Sequence, residues 1–247
     1  MTLVGGDVSE TMEGIVIDSI VGGEVNAGAA VLRSTARPGD QIFVTGRLGG
    51  AAAGLKLIEL GARLTSGQWA VGGGQQSAPP AVAGGPDLGV RDTSETAAIE
   101  TLLLRQLRPS PRVGWGITLG EERLATAMID ISDGLSSDLA HLCRASNVGA
   151  LVQSTALPLD EDVIELCGRR ALDPLALALH GGEDFELLFT VHPDDVMRLP
   201  KRVDGVGISH IGEITAQVGS IRIKEKNRVW ELRPEGFQHF KHETHGD

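Results

Sequence analysis

The 247-residue chain is long enough to bury a full core, as one large domain or two modest ones. Its 33 acidic and 22 basic side chains give a formal charge of -11, with no Lys/Arg stripe interleaved with aromatics, which excludes nucleic acid as a natural partner. Aromatics make up 3% of the residues, with no tyrosine, so the core must be built from Ala, Val, Ile and Leu. No stretch approaches the roughly 18 apolar residues of a membrane span, and the N-terminus lacks a leader pattern, which reads as a cytoplasmic globular protein without a membrane partner. Cys143 and Cys167 form no CxxC or Cys/His cluster. That argues against a disulfide framework or zinc site and makes both packing residues.

In chain order, EGIVIDSIV (13–21) and QIFVT (41–45) are short β-branched runs that predict strands. GRLGGAAAGLKLIELG then passes from glycines into an Ala/Leu-rich helix ending at Gly61, an α/β unit. Residues 65–95 are crowded with Gly, Pro, Ser and Gln and predict a mobile surface loop. From Thr96 to Arg108, Ile99, Leu102, Leu103 and Leu107 share one helical face, which stops at Pro109. ATAMIDIS reads as a buried strand running into the helix GLSSDLAHLCRAS, striped by Leu135, Leu139, Leu142 and Cys143. GALVQ, FELLFTV, GVGISHIGEI and SIRIKE predict further strands, with helices around 161–169, 173–180 and 193–199. The fold class is α/β: a mixed sheet, part parallel and part antiparallel, flanked by helices.

Three acidic, glycine-flanked sites stand out: Gly5-Gly6-Asp7, Asp130-Ile131-Ser132-Asp133-Gly134 and Gly181-Gly182-Glu183-Asp184. Each has an ordinary reading: a terminal turn, a helix cap, and a tight turn with exposed carboxylates. The functional reading of the second is that several oxygens at a strand end converge on one hard cation, such as magnesium with phosphate and water. A calcium EF-hand is excluded, because Leu135 falls where that loop needs Gly and His141 where it needs Glu. Gly46-Arg47-Leu48-Gly49-Gly50 looks like a phosphate cradle but lacks the Lys-Ser/Thr of a Walker A loop, and close helix-to-strand packing explains it as well. Neither a G-x-S-x-G elbow nor an H-E-x-x-H pair occurs.

LVGGD, RSTARPGDQIFVTGRLGGAAAGL, LRPSPRV, AMIDISDGLSSDLAHLCRAS, GGEDFELLFTV, IGEI and EGFQHF, in this order, resemble the thiamine-monophosphate kinase family. The resemblance covers nearly the whole chain outside 65–95. It implies an aminoimidazole-ribonucleotide-synthetase-like C-terminal domain over 26–247, preceded by a remnant of an N-terminal ATP-binding domain over 1–25. The implied activity is transfer of the ATP γ-phosphate onto thiamine monophosphate, with Mg2+ as cofactor, ATP as co-substrate and no phosphoenzyme. Carried over by motif, Gly6, Asp7, Arg33 and Ser132 would contact ATP, and Asp7, Asp130 and Asp133 would hold magnesium. Glu183 and Phe237 would meet the thiamine substrate, and the full-length family is expected to be homodimeric.

Two departures stand beside this resemblance. VSETMEG follows Asp7 in place of the family's Thr- and Arg-containing stretch, and the 65–95 loop is longer than expected. Because family members carry a domain before GGD, much of it is expected to be missing, with little kinase activity in residues 1–247 alone. The alternatives are a related ATP-using synthetase, such as selenophosphate synthetase, or a catalytically silent truncated binding domain. GGED followed by FELLFTV favours the thiamine enzyme.

Overall fold

The computed structural model describes residues 24–65, 81–83, 93–170 and 172–236. The chain divides into two units, Met1–Ala30 and Val31–Asp247. Of the first, residues 24–30 are described, and hold one turn closed by Ala29 N donating to Asn26 O. The predicted strand 13–21 lies outside the described residues.

The elements run β1 (Gln41–Thr45), α1 (Gly50–Glu59), β2 (Arg63–Thr65), β3 (Ala81–Ala83), α2 (Thr93–Leu107), α3 (Val113–Glu121), β4 (Ala125–Ile131) and α4 (Leu135–Ser146). They continue as β5 (Gly149–Gln153), α5 (Glu161–Arg170), α6 (Pro174–His180), β6 (Glu186–Val191), β7 (Arg202–Val203), β8 (Val206–Thr215), β9 (Ile221–Glu225) and β10 (Arg228–Glu231). The main sheet has the order β10-β9-β5-β8-β1-β6-β4, with β7 paired to β8. Only β5 and β9 run parallel within it; the other described pairings are antiparallel. The predicted mixed sheet is therefore present.

Strand alternation sorts the core onto two faces. Ile42 and Val44 of β1 and Leu188 of β6 join Leu135, Leu139, Leu142 and Cys143, so all four stripe residues of α4 are buried as predicted. Phe43 and Phe189 point to the opposite face, with ring centroids 5.7 Å apart, where Trp115 and Leu119 of α3 cover them. A second cluster joins α1, α2 and α5 through Leu57, Ile99, Leu102, Leu103, Val163 and Leu166. Here Gly54 permits close approach of α1 to α2, since a Cβ would collide with the Leu102 carbonyl. Cys143 and Cys167 are buried free thiols, and burial pushes the Cys143 thiol up to about 12.

Several features depart from expectation. Inside the predicted 65–95 loop, β3 pairs antiparallel with β2, and α2 begins at Thr93 rather than Thr96; 66–80 and 84–92 lie outside the described residues. Residues Pro193–Arg198 form a 3-10 helix. Both α3 and β10 went unread. Gly114, Gly116 and Gly120 depress the helical propensity of α3, which is instead held by Trp115 and Leu119, four apart and both buried. Every residue of β10 is exposed, so no buried face marks it in the sequence.

Candidate functional site

β4 delivers Asp130, exposed near its end, and then turns through Ser132, Asp133 and Gly134 into α4. The ordinary reading makes Ser132 or Asp133 the helix cap. Instead the N-cap residue is Gly134, at φ 107° and with no side-chain cap. The stabilising group is Asp138, in the first turn of α4, whose Oδ2 accepts from Ser132 N at 3.1 Å and Asp133 N at 3.0 Å. The Asp133 carboxylate is thereby free of capping duty. Burial pushes the Asp138 carboxyl up to about 6, against the pull of the Asp133 amide, and the charges of Asp133 and Asp130 add to the rise. Asp138 therefore feels both carboxylates of the turn it braces.

The 181–185 loop is laced onto that turn. Glu183 N donates to Ser132 O and Phe185 N to Ile131 O, both at 2.8 Å. Glu183 (φ 70°) and Phe185 (φ 48°) both occupy the left-handed region, a strained backbone held by these bonds. Glycines permit the approach: a Cβ on Gly182 would stand 2.6 Å from Ser132 O, and one on Gly134 2.9 Å from the His180 carbonyl carbon.

The two acids of GGED divide their work. Glu183 is exposed beside the acidic turn, whereas Asp184 is buried and accepts from Gly49 N at 2.7 Å and Ala51 N at 3.1 Å. Asp184 therefore caps α1, which corrects both the reading of exposed carboxylates and the phosphate-cradle reading of 46–50. Two amides that a phosphate would need are already taken.

Next to it lies a buried ion network. Glu186, with 0% exposure, accepts from Arg112 Nε at 2.6 Å, Arg112 Nη2 at 2.5 Å and Thr45 Oγ1 at 2.7 Å. Arg105 stands 3.7 Å from Glu186 and bonds Asp160 at 3.1 Å. The hydrogen bond from Arg112 to Glu186 holds the guanidinium above its ordinary pKa. This network is scaffolding beneath the site, fixing β6 against β1 and the start of α3.

The structure thus brings together Asp130, Ser132, Asp133 and Glu183. Arg33 is exposed beside the outer edge of β4: the Leu32 carbonyl accepts from Met128 N, and the Arg33 carbonyl from the hydroxyl of Ser146, the last residue of α4. It stands towards the far end of α4 from the acidic turn, a helix of 12 residues and roughly 18 Å. Gly6, Asp7 and Phe237 lie outside the described residues. Sequence reasoning missed Asp138, Arg112 and Glu186 and misread Asp184 as exposed; the available signal was a charged residue, Glu186, inside the apolar run FELLFTV.

Among the described residues no group of three or more His, Cys, Asp or Glu is arranged to hold a metal. Two open carboxylates, Asp130 and Asp133, still suit a hard cation that takes its remaining ligands from phosphate and water.

A model of the C-terminal domain of AIR synthase related proteins matches residues 110–224, which contain both the acidic turn and GGED. Thiamine-monophosphate kinases of Salmonella typhimurium and Bacillus subtilis are 33% and 31% identical to this chain over 97% and 98% of its length. The chain is similar to thiamine-monophosphate kinases over nearly its whole length. It spans 64% and 65% of the length of those relatives. The crystal structure of thiamine-monophosphate kinase from Stenotrophomonas maltophilia K279a superposes with a TM-score of 0.62 at 34% identity, over 81% of this chain and 54% of that one. AaThiL complexed with AMPPCP and TMP gives 0.61 at 28% identity, over 85% and 54%. The hydrogenase maturation protein HypE in complex with ATP, at 18% identity over 85% and 55%, shares the fold, with a TM-score of 0.52.

Proposed function

We propose that this chain is the acceptor- and metal-binding part of a kinase that phosphorylates thiamine monophosphate to thiamine diphosphate. The observation that carries the reading is the Glu183 N to Ser132 O hydrogen bond at 2.8 Å, which seats GGED against the acidic turn. An oxygen of the thiamine monophosphate phosphate attacks the γ-phosphorus of ATP, the bond to the β-phosphate oxygen breaks, and ADP leaves. Transfer between two anions relies on positioning and charge stabilisation and needs no protein nucleophile.

Asp130 and Asp133 would hold magnesium, which would neutralise charge on the phosphate oxygens. Ser132 would contact ATP from the same turn; Arg33 stands towards the other end of α4 and is not assigned to that phosphate site. Glu183 would hold thiamine monophosphate, and Phe237 would offer its ring to the cationic thiazolium. On this reading residues 1–25 belong to an ATP-binding domain, and the working protein is a cytoplasmic homodimer.

Calorimetric titration in the presence of AMPPCP and magnesium tests the reading. Thiamine monophosphate is expected to bind, and Glu183→Ala to weaken it by about tenfold, one lost charge-assisted contact. Equal binding of thiamine and its monophosphate, or no binding of the monophosphate, would overturn it.

A further inference from the structure

Ser136, His180 and Glu235 form a Ser-His-Glu chain outside the ligand-contacting groups above: Ser136 Oγ lies 2.9 Å from His180 Nδ1, and His180 Nε2 lies 4.0 Å from Glu235 Oε2. The residue types match a nucleophilic triad, yet Ser136 is fully buried, at 0% exposure, and its Oγ accepts from Glu235 N at 3.4 Å. A serine in that position cannot reach a substrate. The Ser136 hydroxyl thus shares a hydrogen bond with His180 Nδ1 while His180 Nε2 faces the Glu235 carboxylate.

The chain works as a clasp. After β10, Leu232 N is tied to Ile221 O. The amides of Glu235 and Gly236 are then held by serine hydroxyls of the first turn of α4, the second through Ser137 Oγ at 3.1 Å. Gly236 passes so close to the acidic turn that a Cβ would collide with the Asp133 carbonyl. The segment is thereby pinned against both Asp133 and the residue that opens the 181–185 loop.

We infer that His180, with Ser136 and Ser137, is a positioning residue for acceptor binding: it fixes Glu235 and Gly236 against the acidic turn on which the 181–185 loop seats Glu183. This rests on the thiamine monophosphate reading above. His180 supplies the link that neither serine can make alone, because it joins α6, α4 and the 232–236 segment in one chain of contacts.

Amide hydrogen exchange by NMR and calorimetry on the whole chain test it, with His180→Ala, His180→Asn and the milder Ser137→Ala. In His180→Ala and Ser137→Ala, exchange at Glu235 and Gly236 should accelerate at least tenfold or so while Leu139 and Leu142 keep their protection. The Kd for thiamine monophosphate should rise about tenfold and that for AMPPCP stay unchanged, with His180→Asn intermediate because its side-chain amide can still hydrogen-bond the Ser136 hydroxyl. Unchanged exchange at 235–236 overturns the clasp. Accelerated exchange with unchanged thiamine monophosphate affinity overturns the positioning role and leaves the functional reading standing. Failure of the wild-type chain to bind thiamine monophosphate overturns the functional reading itself and this inference with it.

Discussion

Asp184 accepts a hydrogen bond from Gly49 N at 2.7 Å across 135 residues of sequence, so the carboxylate after GGE is the N-terminal cap of the helix that follows β1. Burial pushes this carboxyl up to about 6, opposed by the amides of Gly49 and Ala51. The folded protein therefore holds the proton more tightly than the unfolded chain. The contribution favours folding most below about pH 4 and is lost as pH rises to about 6. Asp184→Asn abolishes this titration. Urea unfolding between pH 4 and pH 7 should show wild type losing up to about 3 kcal/mol relative to Asp184→Asn across that window. A pH-independent difference would contradict the assignment.

Glu186 predicts a different response. Removing Arg112 leaves a buried carboxylate with Arg105 at 3.7 Å as its remaining cation among the described residues. Arg112→Met should cost about 3–5 kcal/mol, and adding Glu186→Leu should recover much of it, since an uncompensated buried charge costs more than an apolar replacement. A loss below about 1 kcal/mol in equilibrium unfolding would show that the pair is not desolvated as the geometry requires.

Gly46 and Gly61 separate strain from collision. Both adopt left-handed backbone, at φ 57° and 93°, but a Cβ on Gly46 would strike the Glu186 carboxylate while one on Gly61 meets nothing within 4 Å. Gly61→Ala should cost about 1 kcal/mol and Gly46→Ala at least about 2 kcal/mol more. Similar thermal unfolding of the two variants would contradict that difference.

Much of the scaffold was legible in the sequence, because its signals are local. The β-branched run QIFVT, the stripe Leu135, Leu139, Leu142 and Cys143, and the glycine punctuation after β1 each mark an element without knowledge of its partner. What stayed hidden depends on tertiary contact. The spacing of DISDG gave Asp130 and Asp133, but nothing local shows that Asp138 rather than Ser132 or Asp133 stabilises the turn. Nor does GGED reveal that its two acids face in different directions. The helix α3 was hidden by its glycines, and Arg112 by sitting 74 residues from Glu186.

Asp130 and Asp133 test the metal reading. In the chain joined to a thiamine-monophosphate kinase N-terminal domain, Asp130→Asn and Asp133→Asn should each lower magnesium-dependent turnover by at least about a hundredfold, with stability within about 1 kcal/mol of wild type, since neither carboxylate caps α4. Normal turnover and magnesium dependence in both variants would remove them from the site.

The central claim is most directly tested by joining the chain to the N-terminal domain of a thiamine-monophosphate kinase and following phosphorus-31 NMR of ATP and magnesium mixed with that protein and either thiamine monophosphate or thiamine. The account predicts thiamine diphosphate and ADP in equal amounts from the monophosphate, no product from thiamine, and no ADP without an acceptor. Conversion of thiamine with the monophosphate inert, or ADP release at the same rate without acceptor, would contradict it.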